Sequence, residues 1–182
     1  VCVPSSAGLV FAGLLVLVGA AMQGYANESF DAVTLAIFLL FVGYAAVTLV
    51  FSGKPVEQRA FLLSYALCVF AGGLAQWYSL VVFDGPQSTS DAISFLRIIP
   101  DARPYYTWWE IKNLTVDGYP LSGGAPLAVA IWKGVYRLCT TLGLDYGAYI
   151  GVIVNALVIG FSGSLTVRTA REMFGEEDWR LR

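Results

Sequence analysis

The sequence predicts an all-α integral membrane protein: four transmembrane helices, with two short interfacial helices in one long outer segment. Three observations predict it. Hydrophobic residues make up 57% of the 182 residues and charged residues 13%, about half the charge of an ordinary soluble domain. Four apolar runs are long enough to cross a hydrocarbon core of ~30 Å. The Lys and Arg residues of the short connectors collect on one side of those runs, as a multi-pass topology requires.

The first run is Ala7 to Met22, and its uncharged flanks extend it over Val1 to Ala26. It lacks the basic start of a signal peptide and a second span follows closely, so it reads as a transmembrane helix. The connector GYANESFD carries Glu28 and Asp31 and no Lys or Arg. Ala32 to Ser52 is the second span. The next connector, GKPVEQR, holds Lys54 and Arg59, and Pro55 marks the break. Ala60 to Phe83 is the third span, about 24 residues and able to cross with some tilt. It runs straight into Asp84, Gly85 and Pro86, so a membrane helix delivers acidic residues to a membrane surface.

Residues 84–145 differ from what precedes them. They hold six acids, five basic residues and five of the seven prolines. Ser88 or Ser90 can cap a short helix from Asp91 to Ile99, with Asp91 in its favourable first turn. Pro100 and Pro104 stop it. Tyr105, Tyr106, Trp108, Trp109 and Tyr119 then form the kind of aromatic belt found at membrane interfaces. Pro126 to Leu142 nearly has the length of a span, but Lys133 and Arg137 stand at i,i+4 with Thr140 and Thr141 on the same side. Leu127, Ala128, Ile131, Val135, Leu138 and Leu142 lie largely on the other. Two cations inside one span cost several kcal/mol, whereas an amphipathic helix in the interface carries no such cost. The expectation is an interfacial helix.

Tyr146 to Val167 is the fourth span, with Gly147 and Gly151 at GxxxG spacing and Gly160 and Gly163 as further small positions. Asn155 in mid-span suggests packing or an interhelical hydrogen bond rather than a substrate contact. The organisation is therefore 1–83 with three spans, 84–145 as the outer segment, and 146–182 with the fourth span and a cytoplasmic end. Lys54, Arg59, Arg168 and Arg171 belong inside by the positive-inside rule. Both termini are then cytoplasmic, as in a multi-pass protein of a bacterial inner membrane. The chain starts with Val and ends soon after a hydrophobic helix, as a piece of a longer polypeptide would.

Composition excludes several classes of function. There is no histidine, which removes a Ser-His-Asp triad and any His-containing zinc or haem site within this chain. Cys2, Cys68 and Cys139 are isolated and form no CxxC pair. A formal charge of −2 gives no basic surface for nucleic acid. The lipid bilayer is the one partner that composition demands. Chemistry, if present, belongs to the outer acids Asp84, Asp91, Asp101, Glu110, Asp117 and Asp145. Carboxylates at a membrane surface act as general bases or hold a divalent metal, the one cofactor candidate. Most loop acids are solvated, and capping alone accounts for Asp91 as well as chemistry does. Arg97, Arg103, Lys112, Lys133 and Arg137 meet phosphate headgroups by snorkelling, or meet a phosphate leaving group.

Several of these stretches together resemble a known family. A helix ending in FDGPQSTSDAISFL is followed by an aromatic outer segment and YPLSGGAPLAVAIWKGVYRL. A span with IVNALVIGFSGSLTVRTAREMFG comes next. This is similar to the first third of the GT-C glycosyltransferases, relatives of protein mannosyltransferases and lipid A aminoarabinose transferase. The matching features are Tyr119-Pro120, Pro126-Leu127, Asn155-Ala156-Leu157, Arg168, Arg171 and Phe174-Gly175, within residues 60–175. The family usually has one helix before the outer loop, and this chain has three. The resemblance implies transfer of a sugar from a polyprenyl-phosphate donor at the outer membrane face. It implies Asp91 as general base, with Asp84 the second choice, and Lys112, Lys133 or Arg137 on the lipid phosphate. The alternative from composition is a non-catalytic scaffold that packs against other membrane subunits, or against the remainder of a longer chain.

Overall fold

The structure is a computed structural model and describes residues 6–84, 115–116, 119–120, 125–145 and 147–175. Five helices are described: α1 (Ser6–Ala26), α2 (Asp31–Val50), α3 (Pro55–Phe83), α4 (Ala125–Thr141) and α5 (Ala148–Phe174). Between α3 and α4, β1 (Thr115–Val116) pairs antiparallel with β2 (Tyr119–Pro120). The expectation gave no strand there, although Asp117-Gly118 between the paired residues is a hairpin signal. The expected helix at 91–99 and the aromatic belt at 105–109 lie outside the described residues.

Helices α1, α2, α3 and α5 are long and apolar enough to cross a membrane. α3 starts at Pro55 rather than Ala60. Pro55 stands in the first turn of the helix, where its missing N–H is no loss and its fixed φ suits the helix. The expected break is thus a helix start. α5 likewise runs to Phe174 rather than Val167. At 1.5 Å per residue the 29 residues of α3 reach about 43 Å, well beyond a ~30 Å hydrocarbon core. Glu57, Arg59, Arg168, Arg171 and Glu172 are therefore helical, on the turns farthest from Phe83 and Ala148.

The chain divides into two compact units, residues 1–86 with 149–182, and residues 87–148. In the first unit α1 and α3 run parallel, with α2 antiparallel to both, and their crossing depends on glycine. A Cβ on Gly73 would strike the Gly19 carbonyl oxygen, and one on Gly19 would come within 2.5 Å of the Phe70 Cα. Such small positions let membrane helices close backbone to backbone. α5 runs antiparallel to α3: Val152 lies against Gly72, Gly160 against Phe61 and Tyr65, and Gly163 against Ser64. Phe61 and Tyr65 are fully buried. Phe61 meets Tyr65 at 5.9 Å and Phe161 at 5.3 Å between ring centroids, and the Tyr65 hydroxyl donates to the Ala36 carbonyl at 2.7 Å. That hydrogen bond ties α3 to α2 while sparing a buried hydroxyl the cost of going unpaired. Large apolar side chains such as Phe38, Phe41, Leu49 and Val81 point outward, as in a bundle whose solvent is lipid.

The second unit carries α4. At 17 residues it is shorter than the other four helices. Ile131, Leu138 and Leu142 are exposed along one side.

Candidate functional site

One end of the first unit gathers Glu28, Asp31 and Asp84. The C-termini of α1 and α3 lie there, because the two helices are parallel, and so does the N-terminus of α2. Glu28 follows α1 and Asp84 follows α3, each in the left-handed backbone region with φ of 55° and 53°. Left-handed caps are usually glycine; at both positions a carboxylate is presented instead, on an exposed residue. Asp31 opens α2, where an acid complements the helix dipole. Neither α1 nor α3 has a basic residue in its last turn. The C-terminal dipoles of α1 and α3 are opposed there by the N-termini of α2 and α5, so the acids themselves make this end negative. It suits a base or a cation and repels a phosphate.

Beneath the acids lies a small amide network between α1 and α3. Asn27 Nδ2 donates to Gln76 Oε1 at 2.9 Å and to the Gln23 carbonyl at 2.8 Å. Gln23 Nε2 donates to the Val69 carbonyl at 3.0 Å. Gln23 is fully buried, and its Oε1 has no hydrogen-bond partner among the described residues. Gln76 and Ser79 are buried as well. This network fixes α1 on α3 below Asp84 and so fixes where the carboxylate stands. Sequence reading missed it, although three carboxamides close to the same ends of otherwise apolar helices were the available signal.

The opposite end of the unit is basic and locked by an ion pair. Arg171 on α5 reaches both carboxylate oxygens of Glu57 on α3 at 3.0 Å. Ser164 Oγ donates to the Glu57 carbonyl at 2.8 Å. Glu57 is only 2% exposed. Nearby Arg168 pairs with Glu172 at 2.8 Å and stacks 5.8 Å from the Phe51 ring. The sequence expectation missed Glu57, because it began the third helix at Ala60.

Of the residues expected to form a site, Asp84 is exposed at the acidic end. Asp91 and Lys112 lie outside the described residues. Lys133 and Arg137, expected to share one polar side of α4, part company. Lys133 is buried, with Nζ 4.7 Å from the Tyr136 ring centroid, and Arg137 is exposed. The reason is helix geometry: the sheltered side of α4 centres on Trp132, Tyr136 and Cys139, which draws in the stem of Lys133 and leaves Arg137 outside. Thr140 and Thr141 donate back to the Arg137 carbonyl at 3.0 and 2.8 Å, so their hydroxyls are spent within the helix. No three His, Cys, Asp or Glu residues converge as metal ligands among the described residues.

No protein-family model, curated protein or solved structure matches the chain.

Proposed function

We propose that the chain forms part of a membrane glycosyltransferase of the GT-C type, moving a sugar from a polyprenyl-phosphate donor to an acceptor at the outer membrane face. The observation that carries this reading is Asp84. A long apolar helix ends there in a left-handed residue whose carboxylate is exposed at the acidic end of the bundle. The outer segment with Asp91 follows directly in sequence. Asp91 is the first choice of general base and Asp84 the second. The base takes the proton of an acceptor hydroxyl as its oxygen bonds to the anomeric carbon. The bond from that carbon to the phosphate oxygen breaks, and polyprenyl phosphate leaves. Lys112, Lys133 or Arg137 would steady the charge on that phosphate. No step is routed through a metal.

The alternative is a non-catalytic scaffold in a larger membrane assembly. Its supporting observation is the glycine-mediated packing of the first unit, which needs no chemistry to explain it. The deciding experiment reconstitutes the chain with a radiolabelled polyprenyl-phosphate sugar and a hydroxyl-bearing acceptor. Transfer is expected, and Asp91→Asn should slow it roughly 10²- to 10⁴-fold without unfolding the protein. Full activity in Asp91→Asn removes that residue from the role and moves the assay to Asp84→Asn. Transfer that is absent even when the protein is reconstituted together with any further polypeptide it belongs to leaves the scaffold.

A further inference from the structure

The inward side of α5 is lined by the buried residues Tyr149, Ile150, Ile153, Ala156, Gly160 and Ser164. At 100° per residue, Gly151, Asn155, Ser162, Thr166 and Thr169 fall together in one stripe on the opposite side. Asn155, Ser162, Thr166 and Thr169 are exposed, and a Cβ on Gly151 would meet nothing within 4 Å. Ser162 and Thr166 donate to the carbonyls of Val158 and Ser162 at 2.9 and 2.8 Å, which satisfies both hydroxyls inside the helix. The Asn155 carboxamide has no hydrogen-bond partner among the described residues.

Depth makes this amide conspicuous. Gly72 stands midway along the apolar run from Ala60 to Phe83, and Val152 lies against it. Asn155 is three residues further on, ~4.5 Å along the helix. An amide with unmet donors and acceptors thus sits near the middle of the hydrocarbon and points away from its own bundle. Polar side chains at that depth almost always face protein or a water-filled cavity, and small residues around them mark helix contacts.

We propose that this stripe is a helix–helix interface and that its occupant is a second copy of the chain, related by a two-fold axis along the membrane normal. Copies inserted in one membrane share an orientation. The two-fold therefore sets α5 parallel to its equivalent and brings each residue opposite itself. A charged group there would face its like, and from Gly151 to Thr169 the stripe contains none. Its central polar group is a carboxamide, which carries both donor and acceptor and so pairs with its own copy. Gly151 on one side is small enough to let the backbones approach, and on the other the exposed Val158 and Ser162 would pack beside the pair. In coiled coils a single buried Asn fixes register and partner number in the same way. The interface depends on neither reading of function.

The test uses the full chain, labelled at its C terminus with donor or acceptor fluorophore and diluted in phosphatidylcholine liposomes over a range of protein-to-lipid ratios. Energy transfer that follows a monomer–dimer curve is expected. Asn155→Leu should weaken pairing roughly threefold to thirtyfold, and Gly151→Leu should weaken it too. Asn155→Gln, which keeps the carboxamide, should retain pairing, and Phe38→Ala on an exposed face of α2 should change nothing. Helical circular dichroism of each variant separates lost pairing from lost fold. Three results overturn the proposal: no transfer by the unaltered chain at the highest density, transfer indifferent to both Asn155→Leu and Gly151→Leu, or pairing seen only when a different membrane protein is added.

Discussion

The residue that carries most structural weight for its size is Glu57. It is nearly inaccessible, and its carboxylate is met by Arg171 from another helix, 114 positions along the chain. A buried pair of this kind adds little over an apolar substitute, yet removing one partner strands the other. Arg171→Ala should therefore destabilise the bundle by about 3 kcal/mol. Glu57→Gln combined with Arg171→Ala should recover part of that loss, because no charge is then left without its counterion. Denaturant titration of the two variants in detergent measures both, and equal stability of Arg171→Ala and the unaltered chain would show that the pair contributes nothing. Sequence made Arg171 legible as an end-of-helix cation. Glu57 was not legible, because its importance lies in what packs beside it, and a lone acid two residues past a proline reads as a loop.

Among the helices, α4 separates pattern from environment most clearly. Its alternation of apolar and polar residues was readable from spacing alone, and the exposed line of Ile131, Leu138 and Leu142 agrees with it. The fate of its cations was not readable. Lys133 and Arg137 are one turn apart in sequence, and only the covered side of the helix decides that the first is buried and the second exposed. The same covered side holds Cys139, 3% exposed, and burial pushes its thiol above the usual cysteine range. The thiolate is the reactive form, and raising the pKa lowers its share at neutral pH. Cys139 should thus react with a maleimide far more slowly in the native protein than in denaturant, and a native rate equal to the denatured one would mean that this side of α4 is open. The starts and ends of the long helices were less legible than their existence. Pro55 reads equally well as a break or as a first turn, and the helix that follows it chose the second.

For the whole molecule, the four long helices were legible because apolar length is a strong signal, whereas the order of packing was not. α1 touches α3 more extensively than it touches its neighbour α2, and the glycines that permit this contact look like any others in the sequence. The orientation expected from the basic connectors carries its own check. With the native cysteines replaced, a membrane-impermeant thiol reagent added outside should modify a cysteine introduced at Thr140, in the outer segment, and spare one at Ser52. The reverse pattern would invert the topology and place the acidic end with Glu28 and Asp84 in the cytoplasm.

The parallel pairing of α1 with α3 has a consequence for biosynthesis. The amides of Gln23 and Asn27 find their partners on α3, 46 and 49 positions later in the chain. At ordinary rates of translation that is a delay of roughly 2–10 seconds. In a membrane-inserted chain α1 would stand beside α2 alone during that interval, with an amide at Gln23 that lipid cannot satisfy. A nascent chain arrested with only α1 and α2 emerged should stay extractable from the membrane by alkali, and one arrested after α3 has emerged should resist. Gln23→Leu with Asn27→Leu should abolish that difference by removing the groups that have to wait. If both arrested chains resist extraction alike, α1 integrates without its partner. The order of synthesis and the order of side-chain pairing therefore differ, because the amides of the first helix find their partners only on the third.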